Sequence, residues 1–157
     1  MAIHEASTKE VIRYQGAILR DGQILLIKHR EHSNGRSYWV IPGGRREGNE
    51  TEEDCVKREM LEETSLEISV ERILLDEAGD PNGNGRRRKT YLCRVVNGEA
   101  QPGFEPEEDA SNMYAISQVG WFDLRDPSGW EALLTADPFT YPLLVKIQAA
   151  LDFRTPE

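Results

Sequence analysis

Glu59, Glu62 and Glu63, with Arg58 beside them, are spaced for work that an ordinary helix does not need. They lie in "ETEEDCVKREMLEETSL", Glu50 to Leu66. Thr51 is a natural N-cap with Asp54 three residues on, and the pattern predicts a helix from Thr51 to about Thr64. Glu52, Glu53 and Asp54 then occupy its first turn, where the helix dipole favours negative charge. At about 100° per residue, Cys55, Val56 and Met60 share one side. Glu59 lies one turn after Cys55, Glu63 one turn after Glu59, and Glu62 beside it. The acids continue the apolar stripe instead of opposing it. They also crowd the helix end where the dipole disfavours anions, and like charges at such spacings repel by about 0.2–0.5 kcal/mol a pair. A run of charge is ordinarily a solvated face, but here it points inward. Such a local conflict marks functional sites. Carboxylates one turn apart can converge on a hard cation. All-oxygen ligation with no neighbouring histidine or cysteine cluster suits Mg²⁺ or Mn²⁺ rather than Zn²⁺.

The stretch before the helix, "YWVIPGGRREGNE", agrees with that chemistry. Gly43-Gly44 lets backbone approach a ligand closely, and Arg45 and Arg46 set positive charge beside the acids. Cation-binding carboxylates next to arginines on a glycine turn are a combination for phosphate chemistry.

The elements that must position these groups can be read in outline. "YQGAIL" and "QILLIKH" flank Asp21-Gly22 and predict a hairpin. "YWVI" is a short strand stopped by Pro42-Gly43-Gly44. "LEISVERILLDEA", "KTYLCRVV" and "QVGWFDL" read as further strands. "SGWEALL" reads as a short helix and "PFTYPLLVKIQAALDF" as a terminal one. "GDPNGNGRRRK", Gly79 to Lys89, reads as a mobile glycine-rich turn, and "NGEAQPGFEPEEDASN" as a long acidic loop. The expected class is α/β, a mixed sheet packed between helices. Residues 1–10 read as a polar, flexible start and 11–157 as one domain, which the length of 157 residues suits.

A formal charge of −9 argues against nucleic acid or an anionic membrane as partner, though not against a small anionic ligand. Cys55 and Cys93 have no metal-ligand spacing, "MAIHEASTKE" has no apolar signal core, and runs such as "ILLI" are strand-sized. These readings predict a cytoplasmic protein. Trp39 is expected in the core and Cys55 as a small buried hydrophobe in acidic surroundings. Tyr38 is a candidate to stack on a base, and Lys28 and Arg30, at a strand end, are candidates to face phosphates.

Residues 44–66 resemble the signature of the Nudix hydrolases, the family that includes MutT-like enzymes. That signature is Gly, five residues, Glu, seven residues, Arg-Glu, an aliphatic, any residue, Glu-Glu, any residue, Gly, an aliphatic. Here it reads Gly44, Glu50, Arg58-Glu59, Met60, Leu61, Glu62-Glu63, Thr64, Ser65, Leu66, so that only the late glycine differs. "YWVIPGG" and "VGWFDL" also look like family features, and the resemblance covers most of the chain. It implies the Nudix α/β/α sandwich with a mixed sheet. It implies Mg²⁺-dependent hydrolysis of a nucleoside diphosphate linked to another moiety, by a monomer or homodimer. By carry-over, Glu59, Glu62 and Glu63 hold metal, with the Gly43 carbonyl as a further ligand. Glu50 and Arg58 form a structural pair behind Gly44, and Arg45 lies near the phosphates. The general base is Glu59, Glu63 or an acid of the late loop, Glu105, Glu107, Glu108 or Asp109, with Glu108 preferred. Pro81 stands where some ADP-ribose hydrolases of the family carry a proline; nucleoside triphosphates remain an equal expectation. A Nudix-fold module that senses a nucleotide without cleaving it is the alternative. Ser65 is expected in the left-handed conformation at about 1 kcal/mol of strain.

Overall fold

The computed structural model describes residues 11–79, 86–103 and 114–153. Residues 1–10, Pro81 and the acids Glu105, Glu107, Glu108 and Asp109 lie outside the described residues.

The first two strands, β1 (Val11–Arg20) and β2 (Gln23–Glu31), form the expected hairpin. Asp21 and Gly22 both take positive φ, 54° and 77°, the turn whose twist matches that of the strands it joins. The two strands pair only next to the turn, Leu19 with Ile24 and Arg20 with Gln23, and then part. The chain returns through the gap. Strand β3 (Ser37–Val40) pairs with β2 at Ile27 to Arg30, and the two-residue β4 (Gly43–Gly44) pairs with β1 at Tyr14 and Gln15. Both neighbours of β4 are close. A Cβ on Gly43 would strike the Tyr14 carbonyl, so glycine is required there, and one on Gly44 would displace the Glu59 carboxylate.

Helix α1 (Glu52–Thr64) leads into β5 (Glu67–Glu77), β6 (Arg86–Asn97) and β7 (Tyr114–Asp123). β6 runs parallel to β1 from Val11↔Arg86 to Leu19↔Arg94, while β5 on β6 and β7 on β2 are antiparallel. The sheet is therefore mixed. A 3₁₀ turn (Pro127–Gly129), a short α2 (Ala132–Thr135) and α3 (Thr140–Ala150) complete the described fold.

Period-two alternation sends side chains to two cores. Tyr14, Ile18, Leu25, Tyr91 and Cys93 meet Cys55, Val56 and Met60 of α1. Ala17, Ile24, Leu26, Trp39 and Phe122 meet Leu134 of α2 and Leu143, Leu144 and Ile147 of α3. The result is an α/β/α sandwich. Each fully buried aliphatic or aromatic side chain contributes about 1.5–3 kcal/mol to it. Trp39 is in the core as expected, edge-on to Phe122 at 4.9 Å, and its indole N–H donates to Glu131 at 2.6 Å.

Two local expectations need correction. Arg86, Arg87, Arg88 and Lys89 are not part of a turn; they begin β6. Neighbouring acids neutralise the cations and make an extended strand possible there: Arg87 forks onto Asp76, Arg88 meets Glu77, and Lys89 meets Glu52. "SGWEALL" is not one helix but the 3₁₀ turn followed by α2, with Trp130 donating its ring N–H to the Asp123 carbonyl between them. Among the described residues, no helix is long and apolar enough to cross a membrane.

Candidate active site

The site is built where α1 crosses the end of β4. Thr51 caps the helix as expected, accepting from the Asp54 N–H at 3.1 Å. Because α1 packs Cys55, Val56 and Met60 onto the sheet, the same face carries Glu59 and Glu63 inward. They are 2% and 0% exposed. Carboxylates are almost never buried so deeply without a partner of opposite charge or a metal.

Glu63 Oε1 accepts the Gly43 N–H at 2.9 Å, which ties β4 to the last turn of α1. Glu59 lies against Gly44. Arg58 organises the rest. Its guanidinium forks onto Glu50, Nε to Oε2 at 3.0 Å and Nη2 to Oε1 at 2.7 Å. The same group donates Nη1 to Glu59 Oε1 at 3.0 Å and to Glu62 Oε2 at 3.1 Å, and Nη2 to the Arg45 carbonyl at 3.0 Å. Glu47 stands 3.6 Å away. One cation thus holds the loop of residues 45–50 against the helix and faces the acids in a row.

The electrostatics follow from these contacts. Arg58 holds the Glu50 carboxyl down to about 2, through its hydrogen bond first and its charge as well. The hydrogen bond to Glu50, with the charges of Glu59 and Glu50, holds the Arg58 proton more firmly than usual. Burial raises the Glu62 carboxyl, and Arg58 opposes that rise. Burial, then Glu50 and Glu59, push the Cys55 thiol up to about 12, so it is no nucleophile at neutral pH.

Among the described residues, no three acid, imidazole or thiol groups form a closed metal cage. The contacts above explain why: Glu59 and Glu62 reach to Arg58, and Glu63 to the Gly43 N–H. The donor set is oxygen only, and the Glu59 carboxylate lies where a side chain on Gly44 would begin. An open set of this kind fits a small hard cation that keeps waters and takes phosphate oxygens to complete its shell. It does not fit an ion that needs a cage made wholly of protein.

Of the residues singled out in the sequence, the structure brings together Gly43, Gly44, Arg45, Glu50, Arg58, Glu59, Glu62 and Glu63. It does not bring Lys28, Arg30 or Tyr38 to them. The Lys28 ammonium lies 5.3 Å from the centre of the Trp39 ring, on the sheet face toward α2 and α3. Arg30 lines a cleft of about 340 Å³ with Glu31, His32, Gly35, Ala115 and Ser117, at the far end of the β2–β3 hairpin. Tyr38 meets His29 edge-on at 5.7 Å, and His29 stacks on Tyr114 at 4.4 Å. Glu108 lies outside the described residues.

Two contributors were missed in the sequence. Glu47 accepts the Glu50 N–H and donates its own to Glu50 Oε1, closing the loop that seats Arg58. Its signal was the Glu-x-x-Glu spacing inside the loop. Gly103 donates to the Glu63 carbonyl and has the Glu62 carbonyl where a Cβ would be, so it lets the backbone at Gln101 and Gly103 lie against the end of α1. A lone glycine in a polar loop gave no sign of that.

Comparison with known proteins agrees with the geometry. The family model described as NUDIX domain matches residues 12–145. Over 109 residues the chain is 31% identical to "Putative nudix hydrolase 1" of Caenorhabditis elegans, covering 69% of this chain and 28% of that protein. Over 127 residues it is 33% identical to "ADP-ribose pyrophosphatase" of Methanocaldococcus jannaschii, covering 76% and 74%. A solved structure, the MutT NUDIX hydrolase from Burkholderia pseudomallei, superposes with a TM-score of 0.59 at 29% identity, over 89% of this chain and 97% of that one. The chain thus spans about a quarter of the worm relative and about three quarters of the archaeal one. With the signature residues gathered around Arg58 and the family model spanning both helical layers, the chain belongs to the Nudix hydrolase family.

Proposed function

We propose that the chain hydrolyses the pyrophosphate bond of a nucleoside diphosphate linked to another moiety. Mg²⁺, with Mn²⁺ as a substitute, would be held by Glu59, Glu62, Glu63 and the Gly43 carbonyl. The observation that carries this reading is the depth of Glu59 and Glu63, buried at 2% and 0% exposure on a helix face that otherwise makes core. Core does not recruit two carboxylates at several kcal/mol of desolvation each unless something repays it.

When bound, such a cation neutralises the phosphate oxygens and acidifies a water. The rest is done by the chain. The Gly43 N–H fixes the Glu63 carboxylate, and Arg58, anchored by Glu50, aims Glu59 and Glu62. Glu59, Glu63 or Glu108 accepts the proton of the attacking water. Arg45 sits on the loop nearest the acids and meets the substrate phosphates. Among the described residues, Tyr38, Lys28 and Arg30, the sequence candidates for substrate contact, have no contact with the acids that would place them at the pyrophosphate, and the proposed hydrolysis does not depend on them.

ADP-ribose is the first substrate to try, because the archaeal relative that the chain matches over three quarters of its length is an ADP-ribose pyrophosphatase by name. Nucleoside triphosphates belong in the same panel. A nucleotide sensor without turnover has less support, because every carboxylate of the signature is present. Product release from the panel with Mg²⁺, with Glu63→Gln alongside, tests the proposal. Glu63→Gln keeps an acceptor for the Gly43 N–H but loses the charge; turnover should fall by about 10²–10³-fold with unfolding unchanged or slightly raised in temperature. A Glu63→Gln protein that unfolds instead would make the acids structural. Tight nucleotide binding with no product from wild type would favour the sensor.

A further inference from the structure

Glu52 heads the same stripe of α1 that ends in the buried acids: Glu52, Val56, Glu59 and Glu63 follow at helical spacing on the face toward the sheet. The Nudix signature assigns it nothing. In the structure it is fastened from two sides. Tyr91 donates its hydroxyl to Glu52 Oε1, and the Lys89 ammonium reaches both carboxylate oxygens at 3.1 Å. Tyr91 and Lys89 are neighbours on the face of β6 that α1 covers, and Tyr91 is 8% exposed.

The strand register closes a loop. Lys89 pairs with Tyr14 of β1, and Tyr14 pairs with Gly44 of β4. Gly43, next to it, holds Glu63. The first turn of α1 is therefore pinned to one end of this strip of sheet and the last turn to the other, about three turns apart. Between them lie Cys55, Val56 and Met60, whose apolar contacts are non-directional and resist rolling weakly. The directional bonds at the two ends set the roll. The size of the effect is telling. On a helix about 10–12 Å wide, a roll of about 10° moves a side-chain tip by roughly 1 Å. A misplacement of about 1 Å at reacting groups costs on the order of 10²-fold in rate.

We propose that Glu52, through Tyr91 and Lys89, is a positioning residue that sets the rotation of α1 and so aims Glu59, Glu62 and Glu63 at their cation. This rests on the cation site proposed above. The test is Mn²⁺ binding to the nucleotide-free full chain, read by electron paramagnetic resonance, with melting temperature recorded for each variant. The Tyr91→Phe/Lys89→Met double variant should bind Mn²⁺ about tenfold more weakly, the scale of losing a partner behind a metal ligand. Glu52→Gln, which keeps an acceptor for Tyr91, should stay within about threefold of wild type. If the double variant fails to fold, Tyr91→Phe alone carries the test, with weakening of at least about threefold expected. A folded variant with unchanged Mn²⁺ affinity and only a lower melting temperature overturns the proposal, since Glu52 would then be merely structural. A wild type that binds no Mn²⁺ overturns the cation reading itself, and the positioning role with it.

Discussion

Ser65 stands where the chain leaves α1, with φ 65° and ψ 15° and its N–H bonded to the Leu61 carbonyl. An L-residue pays for that left-handed conformation with a Cβ held near the following carbonyl, and glycine does not. Family enzymes carry glycine here, and the structure shows that serine accepts the same geometry rather than redirecting the exit. Ser65→Gly should therefore stabilise the protein slightly, by up to about 0.5 kcal/mol once the extra freedom of an unfolded glycine is set against about 1 kcal/mol of relieved strain. The midpoint of urea unfolding checks this, and turnover should not change, because no carboxylate moves. Gly44 is the opposite case. Its missing Cβ is the space occupied by Glu59. Gly44→Ala should leave the protein folded while lowering turnover by about 10²-fold, since β4 or Glu59 must shift by roughly 1 Å. Circular dichroism alongside the nucleotide assay separates the two effects.

At the scale of elements, the loop of residues 45–50 keeps its place through one guanidinium. Glu50 is depressed to about 2 in the folded chain from its ordinary 4.5. A carboxyl lowered by folding adds stability above its unfolded value, and that stability is lost as pH falls through the folded value. The contribution of the Arg58–Glu50 fork is thus complete above about pH 4.5 and disappears on the way to pH 2. Unfolding midpoints measured across that window should fall steeply for wild type and less for Glu50→Gln, which has no proton to gain there. This element was legible in the sequence because its parts are local. Thr51 and the acids of the helix lie within a few turns of one another, so helical periodicity aligned them, while the pairing of Arg58 with Glu50 was implied by the resemblance to the family signature. The register of strands was not legible. Arg87 to Lys89 read as part of a turn because their acid partners meet them only through tertiary pairing, Asp76 and Glu77 across the β5–β6 register and Glu52 from α1. Lys28, at the end of a strand, gave no clue to which sheet face it would take, and that parity is fixed by its pairing with Trp39.

At the scale of the whole molecule, the sheet separates a working layer from a supporting one. α1 carries the acids and packs on one face; α2 and α3 fill the other face and, among the described residues, contribute no group to the acid cluster. Among the described residues, the strands that bury side chains in both layers are chiefly β1, with Ala17 on one side and Tyr14 and Ile18 on the other, and β2, with Ile24 and Leu26 on one side and Leu25 on the other. Leu144 and Met60 are each fully buried, one in each layer, so deleting either side chain should cost about 2–5 kcal/mol. Their consequences for chemistry should differ. The cavity left by Leu144→Ala opens in the core that Trp39 shares, and Trp39 keeps its carbonyl bonded by Thr140 and its ring N–H bonded to Glu131. β3 keeps these anchors, so the folded fraction should retain its turnover per molecule. The cavity left by Met60→Ala opens beside Gly16 and Cys93, directly under the turn that carries Glu59 and Glu63. α1 is then free to settle toward the sheet, and the acids move with it. Active-site titration at a temperature where both variants are mostly folded should show turnover near wild type for Leu144→Ala and at least about tenfold lower for Met60→Ala. Equal losses in the two would mean that the sheet transmits strain between the layers, and that the supporting core tunes the site as closely as the helix does.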